Sequence, residues 1–109
     1  MEDFMMLIEG DGSNKSPEKM QKQLQDYMSW MEKWKASGQY VTGSPFRTEG
    51  HYLQQYSEPV SEGEFLDASK TIGGYIHIKA ATLDDASKIA GECPLLDGCG
   101  IYVRPFLKM

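Results

Sequence analysis

The residues of this chain that could carry out proton-transfer chemistry are few, and only two of them are histidines, His51 and His77. His77 lies in the segment 75–79, whose residues alternate with a period of two, so we expect a strand that turns His77 away from Ile76 and Ile78. Imidazole gains and loses a proton near neutral pH, which makes His77 a candidate general base. The alternative is a histidine that is hydrogen-bonded in a subunit interface. His51 lies in a polar stretch and is expected to be solvated.

A group of carboxylates, Glu62, Glu64 and Asp67, precedes this strand and lies beside glycines. Neighbouring carboxylates can share a proton or hold a divalent cation, whereas the alternative interpretation is a loop of hydrated charges. No histidine or cysteine stands at ligand spacing next to them, so a zinc site is not expected.

The last predicted strand, 100–106, places Tyr102 and Arg104 on one face. The Arg104 guanidinium could bind the carboxylate or enolate of a small organic acid, or it could form a salt bridge across a dimer. Tyr75 and Tyr102 could line a pocket as hydrogen-bond donors, or they could be aromatic residues of an interface.

Composition limits the partners of the chain. With 109 residues we expect a single domain over 1–109, and a net charge of −5 argues against binding to nucleic acid. The acidic start and the short apolar run 4–8 predict no signal peptide, and no apolar run reaches the roughly 18 residues of a membrane span. Cys93 and Cys99 are therefore expected to be reduced thiols in a cytoplasmic protein.

The first half of the chain predicts a buried strand, a long helix and a weaker strand. Phe4 to Ile8 suits a strand buried on both faces near the middle of a sheet. Ser16-Pro17 is typical of a helix start, and Gly38 of a helix end, so we expect a helix over about 17–37. Its predicted inner stripe is formed by Met20, Leu24, Tyr27, Met28, Met31 and Trp34. Segment 39–42 predicts a short strand that Pro45 interrupts, and 51–56 predicts a second, more polar strand.

In the second half, Thr82 is predicted to cap a helix that closes before Pro94. The predicted inner face of this helix is Leu83, Ala86, Ile89, Ala90 and Cys93. The order of elements predicts an α+β, ferredoxin-like βαββαβ fold with an antiparallel sheet and an extra strand-bearing insert. The sheet face without helices carries aromatic residues, which favours a homodimer that packs sheet against sheet. The strands of His77 and Arg104 should flank the first strand, about 10 Å apart.

Short motifs in a fixed order also resemble a known family, the YCII-related proteins and in particular the subgroup with an Asp-Gly-Pro-Phe motif. The motifs are Glu9-Gly10-Asp11 after the first strand, Gly38, Gly63 and Phe65, Ile72-Gly73-Gly74-Tyr75, Leu83-Asp84-Asp85-Ala86 and Val103-Arg104-Pro105. The resemblance implies a ferredoxin-like fold that pairs as a dimeric α+β barrel. It also matches Asp67 to a carboxylate of the family motif.

The resemblance implies that the shorter YCII branch works through a His-Asp pair, and the matching positions here are Tyr27 and Ala36, so that chemistry does not transfer. Our leading hypothesis is a homodimer that binds a small organic molecule in a cleft, without a cofactor. Isomerase-like or lyase-like proton transfer would use His77 or Asp67. The predicted substrate-binding residues are Arg104, Tyr75, Tyr102 and Glu62.

Enzyme status stays open at this stage. The alternative hypothesis is a non-catalytic regulatory or protein-interaction module, as implied by subgroup members linked to sigma-factor regulation. Such a module would need an exposed apolar patch, for which Trp30 on the margin of the long helix is a candidate.

Overall fold

The computed structural model describes residues 1–10, 15–56, 58–64 and 71–109, with 58–64 described by their backbone. The helices and strands, in chain order, are β1 (Glu2–Glu9), α1 (Pro17–Ala36), β2 (Tyr40–Pro45), β3 (Glu49–Gln55), β4 (Glu58–Glu64), β5 (Ile72–Ala80), α2 (Leu83–Gly91) and β6 (Gly100–Pro105). A short 3-10 helix, Pro94–Leu96, follows α2. Neither helix in these ranges is long and apolar enough to cross a membrane.

Four strands form the main sheet in the order β2-β5-β1-β6, with every neighbouring pair antiparallel. The two helices connect β1 to β2 and β5 to β6. This confirms the predicted α+β class with an antiparallel sheet, and it is consistent with the ferredoxin-like fold. β1 lies between β5 and β6, as the sequence predicts. The remaining strands, β3 and β4, pair with each other in a separate two-stranded sheet.

The core lies between the main sheet and the helices. Strand residues that alternate along β1 and β5 meet small and apolar residues of α2 there. The buried residues are Phe4, Met6, Ile8, Trp30, Ile76, Ile78, Ala80, Ala86, Ile89, Ala90 and Cys93. The prediction that both faces of segment 4–8 are buried is wrong, because Met5 and Leu7 are only half-buried on the other face.

Trp30 is part of this core, so its predicted place on an exposed margin is wrong. Its side chain is 5% exposed. The indole Nε1 donates to the backbone oxygen of Ile89 at 3.0 Å, which ties α1 to α2. The ring also stacks on Tyr27 and meets the edge of Tyr40. Large aromatic rings at this contact hold the helix on the sheet.

The apolar stripe of α1 is wider than the surface it buries. Tyr27, Met31 and Trp34 pack against the core as predicted. Met20, Leu24 and Met28 were predicted on the same inner stripe but are 52%, 60% and 45% exposed. Side chains four residues apart drift around the helix axis, so Leu24 and Met28 lie on its flank, whereas Met20 lies in the first turn of α1. Leu83, at the first position of α2, is likewise exposed, contrary to prediction.

The helix ends agree with the sequence signals. Ser16 Oγ accepts from the Lys19 amide at 3.3 Å, and Thr82 Oγ1 accepts from the Asp85 amide at 3.1 Å. Both contacts satisfy amides that have no partner within the helix. Gly38 follows α1 with φ of 78°, a left-handed conformation that glycine adopts without strain.

Pro45 does not break β2 as predicted but pairs at its end with Gly74 of β5. A proline is tolerated there because β2 is an edge strand of the main sheet. The two backbones approach closely, since a Cβ on Gly74 would lie 2.9 Å from the Ser44 oxygen and 3.1 Å from Pro45 Cα. Glycine at this position permits the contact.

Candidate functional site

The face of the main sheet that turns away from the helices carries most of the candidate residues, and we call it the open face. The residues that alternate with the buried ones along β1, β5 and β6 point to it, because successive side chains of a strand point to opposite faces. The open face consists of Asp3, Met5, Leu7, Glu9, Tyr75, His77, Lys79, Tyr102 and Arg104, together with Phe106 just after β6. The structure thus brings four of the predicted site residues onto one surface.

His77 and Asp3 form the central contact of the open face. The imidazole Nε2 lies 2.8 Å from Asp3 Oδ1. His77 pairs with Met5 and Asp3 with Lys79, so the two side chains are diagonal neighbours on adjacent strands, within reach of each other. The Phe106 ring lies over the imidazole at a centroid distance of 5.0 Å and an angle of 18°. The hydrogen bond to Asp3 and the stacked Phe106 ring therefore fix the orientation of the His77 imidazole.

The charge of Asp3 decides which nitrogen of His77 carries the proton. The hydrogen bond from His77 lowers the pKa of Asp3, and the positive charges of Lys79 and Lys108 act in the same direction. An ionised carboxylate can only accept a hydrogen bond, so Nε2 donates to it. In the neutral imidazole this leaves Nδ1 with the lone pair. A carboxylate that orients the base in this way is a recurrent feature of general-base catalysis.

Arg104 lies on the other side of β1 from His77, because both residues pair with Met5 in the sheet register. The predicted separation by one intervening strand is what the structure shows. Within the described ranges the guanidinium takes part in no hydrogen bond or ion pair. Its five donors are thus available to an anion above the sheet.

The two predicted tyrosines flank Leu7 in the next row of the open face. Tyr102 donates its hydroxyl to Glu9 Oε2 at 2.9 Å, and this hydrogen bond raises the pKa of Tyr102. Tyr75 is half-buried and stacks on Phe46 at 5.8 Å. The row offers aromatic surface next to the His77–Asp3 pair, with the Tyr102 hydroxyl held by a carboxylate.

The two predicted carboxylate site residues are not part of the described main sheet. Asp67 lies outside the described residues. Glu62 lies in β4 and pairs through its backbone with His51 of β3, away from the main sheet. Across the part of the chain that is described, no group of three or more histidine, cysteine, aspartate or glutamate side chains could hold a metal ion.

Sequence reasoning missed Asp3 and Phe106 as site residues. The period of two that defines β1 places Asp3 on the same face as Met5, so the pattern contained this half of the information. The other half is the register between β1 and β5, which brings position 3 beside position 77. That register depends on tertiary pairing, and a single sequence does not reveal it.

The sequence matches the model of the YCII-related domain over residues 3–107, nearly the whole chain. The chain belongs to the YCII-related family. No curated protein matches its sequence. Among solved structures, it is similar to 5-chloro-2-hydroxyhydroquinone dehydrochlorinase from Burkholderia phenoliruptrix AC1100, determined in complex with 2,5-dihydroxybenzoquinone. The TM-score is 0.52 at 14% identity, over 98% of this chain and 95% of that one, so the likeness is one of fold.

The two positions that the YCII resemblance assigns to a His-Asp pair hold Tyr27 and Ala36 in this chain. The Tyr27 hydroxyl lies 3.4 Å from that of Tyr40, between α1 and the sheet. Burial is the main cause that raises the pKa of Tyr27 far above its ordinary range, so this phenol stays neutral. Ala36 ends α1 and carries no titratable group. A different His-Asp contact, that of His77 with Asp3, lies on the open face.

Proposed function

We propose that this YCII-related protein binds a small, planar, acidic organic molecule on the open face of a homodimer and transfers a proton to or from it. The observation that carries the proposal is the 2.8 Å contact between His77 and Asp3 on that face. The contact supplies a histidine whose tautomer and orientation are both set by its neighbours. Such a group is suited to isomerisation or elimination, in which a proton leaves carbon or oxygen.

Each residue of the open face has a role in the proposed chemistry. Nδ1 of His77 takes the proton, while Asp3 stabilises the imidazolium that forms. Arg104, across β1, binds the negative charge that develops on the ligand as the proton leaves. Tyr75 and Tyr102 provide aromatic surface for a planar ligand. Asp67 and Glu62 remain predicted participants, as a second proton carrier and a substrate contact.

The structural neighbour supports the choice of ligand class. It has the same fold, and its name and complex describe a dehydrochlorinase bound to 2,5-dihydroxybenzoquinone. Removal of hydrogen chloride is an elimination that needs a proton acceptor, and a dihydroxyquinone is planar and acidic. The open face of this chain offers stacked aromatic rings and an unpaired guanidinium, which suit a molecule of that kind.

The proposal is tested by ligand binding to variants of the open face. We would titrate a panel of hydroxyquinones, including 2,5-dihydroxybenzoquinone, and short 2-oxo acids into the wild type, His77→Ala and Arg104→Ala. Lys22→Ala, on the exposed face of α1, is the matched control. We expect binding to the wild type and the control, and a dissociation constant at least about tenfold higher in Arg104→Ala, because a charge-assisted contact is lost.

Proton transfer has its own readout. In D2O, the wild type should exchange an acidic C–H of a bound ligand for deuterium, as followed by NMR. His77→Ala should bind the ligand but slow the exchange by about a hundredfold or more, which is the usual contribution of a general base. If no panel member binds the wild type, or if bound ligands are indifferent to both substitutions, the proposed site is wrong.

The second candidate function is a non-catalytic regulatory or protein-interaction module. The observation that favours it is the exposed part of the α1 stripe, Met20, Leu24 and Met28. Exposed apolar patches often mark protein-binding surfaces. This function is favoured over the first if the wild type binds no panel member but binds a protein partner that the Leu24→Ser variant does not bind.

A further inference from the structure

The two strands β3 and β4 pair as a hairpin that stands apart from the other described elements. They pair only with each other, and no other described element packs closely against them. Along β3 every residue except Gly50 is exposed. A two-stranded hairpin without a covering layer is at best marginally stable in water. The hairpin therefore needs a surface to rest on that its own chain does not provide in the described ranges.

The hairpin also exposes large apolar side chains. Tyr52 and Leu53 are 50% and 52% exposed, and Tyr56 at the tip is fully exposed. Tyr52 and Leu53 are consecutive in β3, at a point where its pairing with β4 changes register. Burial of such side chains is a principal source of stabilisation in protein association. The exposed apolar side chains of the hairpin thus suit it for contact with another protein surface.

The charges of the hairpin complement those of the open face. Segment 49–64 contains four glutamates, of which Glu49 pairs with Arg47, and it contains no lysine, arginine or aspartate. On the open face, Asp3 is bonded to His77 and Glu9 to Tyr102. Lys79 and Arg104 have no ion-pair partner in the described part of the chain. The acidic hairpin therefore matches a surface whose unpaired charges are positive.

We propose that the hairpin of one copy covers the open face of a second copy, and that each site is completed by its partner. The apolar side chains of β3 rest on the aromatic rows of the partner's sheet, and glutamates of the hairpin pair with its Arg104 and Lys79. This assigns a place to Glu62, which the sequence predicts in the site but which lies off the main sheet in its own chain. The guanidinium has donors enough for a glutamate and a ligand together.

This inference uses the location of the proposed site but not its chemistry, so self-association tests it first. We would measure the dimer dissociation constant of the wild type and of Tyr52→Ser/Leu53→Ser by sedimentation equilibrium. Leu83→Ser/Leu96→Ser is the matched control, because it removes similarly exposed apolar side chains that lie outside both the hairpin and the α1 stripe. Circular dichroism checks that all variants keep the main fold.

We expect the hairpin variant to dissociate at least about tenfold more readily than the wild type, and the control to behave as the wild type does. Arg104→Glu should weaken the dimer as well, and added salt should weaken it in the wild type, because the opposite charges are screened. A wild type that is monomeric at all concentrations overturns the proposal. So does a hairpin variant that associates as tightly as the wild type.

Completion in trans is tested by mixing two defective proteins. The hairpin variant keeps His77 but cannot cover its partner, whereas His77→Ala keeps the hairpin. We expect each variant alone to exchange deuterium into the bound probe 2,5-dihydroxybenzoquinone more slowly than the wild type. In the mixture, heterodimers should regain exchange. If the wild type does not bind the probe, the proposed function fails and sedimentation alone judges the hairpin. A mixture that regains nothing, from proteins that do form heterodimers, overturns completion in trans.

Discussion

Asp3 illustrates how a residue acquires a role from its position in a sheet. In sequence it is one of several acidic residues near the start of the chain. In the fold it accepts a hydrogen bond from His77, with Phe106 stacked on the imidazole. The first contact fixes a tautomer and the second a ring plane. Neither histidine nor aspartate would be a convincing site residue without the other.

The lowered pKa of Asp3 predicts how stability depends on pH. A carboxyl group whose pKa is lower in the folded state stabilises the protein above its unfolded pKa, and this contribution is lost as the pH falls through the folded value. We expect Asp3→Asn to lower the urea midpoint at neutral pH. The difference from the wild type should shrink as the pH falls below the ordinary pKa of an aspartate, about 4, and through the lower pKa of Asp3.

The control for this experiment is Asp26→Asn, which breaks an exposed pair with Lys22 one turn away on α1. Such pairs contribute little to stability, so the urea midpoint should change little at any pH. If the gap between Asp3→Asn and the wild type is the same at pH 7 and at low pH, the carboxylate of Asp3 does not stabilise the fold through His77.

At the scale of single residues, the sequence predicted one residue of each side-chain contact on the open face. Alternation along β5 and β6 placed His77, Tyr75, Tyr102 and Arg104 on a common face, and the structure agrees. Their partners Asp3, Phe46 and Glu9 depend on which strands pair and in which register. Those contacts join residues far apart in the chain, so local patterns could not reveal them.

Trp30 shows how one side chain links two helices. Its ring lies in the core, and its indole N–H meets the Ile89 oxygen near the end of α2. Because α1 and α2 cover the same face of the sheet, this bond fixes their relative position. The element-scale stability of the helical layer therefore depends strongly on position 30.

We expect Trp30→Phe to lower the free energy of unfolding by about 1–3 kcal/mol, because the Ile89 oxygen keeps only the Glu92 amide as a donor and the smaller ring leaves a gap in the core. Trp30→Ala should cost about 3–5 kcal/mol through the cavity it leaves. Met28→Ala, on the exposed flank of α1, should stay within about 0.5 kcal/mol of the wild type. Urea titrations measure all three. Equal losses for positions 28 and 30 would contradict this account of the helix.

Element ends were predictable and element faces were less so. The side chains of Ser16 and Thr82 cap the starts of α1 and α2, and Gly38 ends α1 in a left-handed conformation. The width of the buried stripe on α1 was overestimated, because periodicity gives a direction and not the extent of the opposing surface. Leu24 and Leu83 are apolar, yet 60% and 47% of their surfaces stay exposed.

For the whole molecule, the order of the main strands followed from the order of elements, whereas the separate hairpin did not. Polar residues in 51–56 predicted a strand there, but β4 contains Pro59 and Gly63, which disfavour strands. Its pairing with β3 is shown only by the structure. The strand content of a chain is thus easier to read than its division between sheets.

Hydrogen exchange should show this division. Amides that join β1 and β5 lie in the middle of the main sheet and should exchange slowest. Amides of β3 should exchange fast in dilute protein. They should become protected only at concentrations where the protein self-associates. Protection of β3 that equals that of β5 and does not vary with concentration would show that the hairpin needs no partner. Exchange followed by mass spectrometry at two protein concentrations decides this.

The crowded crossing of Gly74 with Ser44 and Pro45 limits which sequences this fold can tolerate. One added methyl group would push the end of β2 away from its neighbour, and the chain enters residues 46–64 from that end. The displacement would therefore move the hairpin of β3 and β4, although position 74 touches neither His77 nor Arg104. If the hairpin covers a second copy as proposed, substitutions at position 74 in a random mutant library should weaken self-association while the monomer still folds.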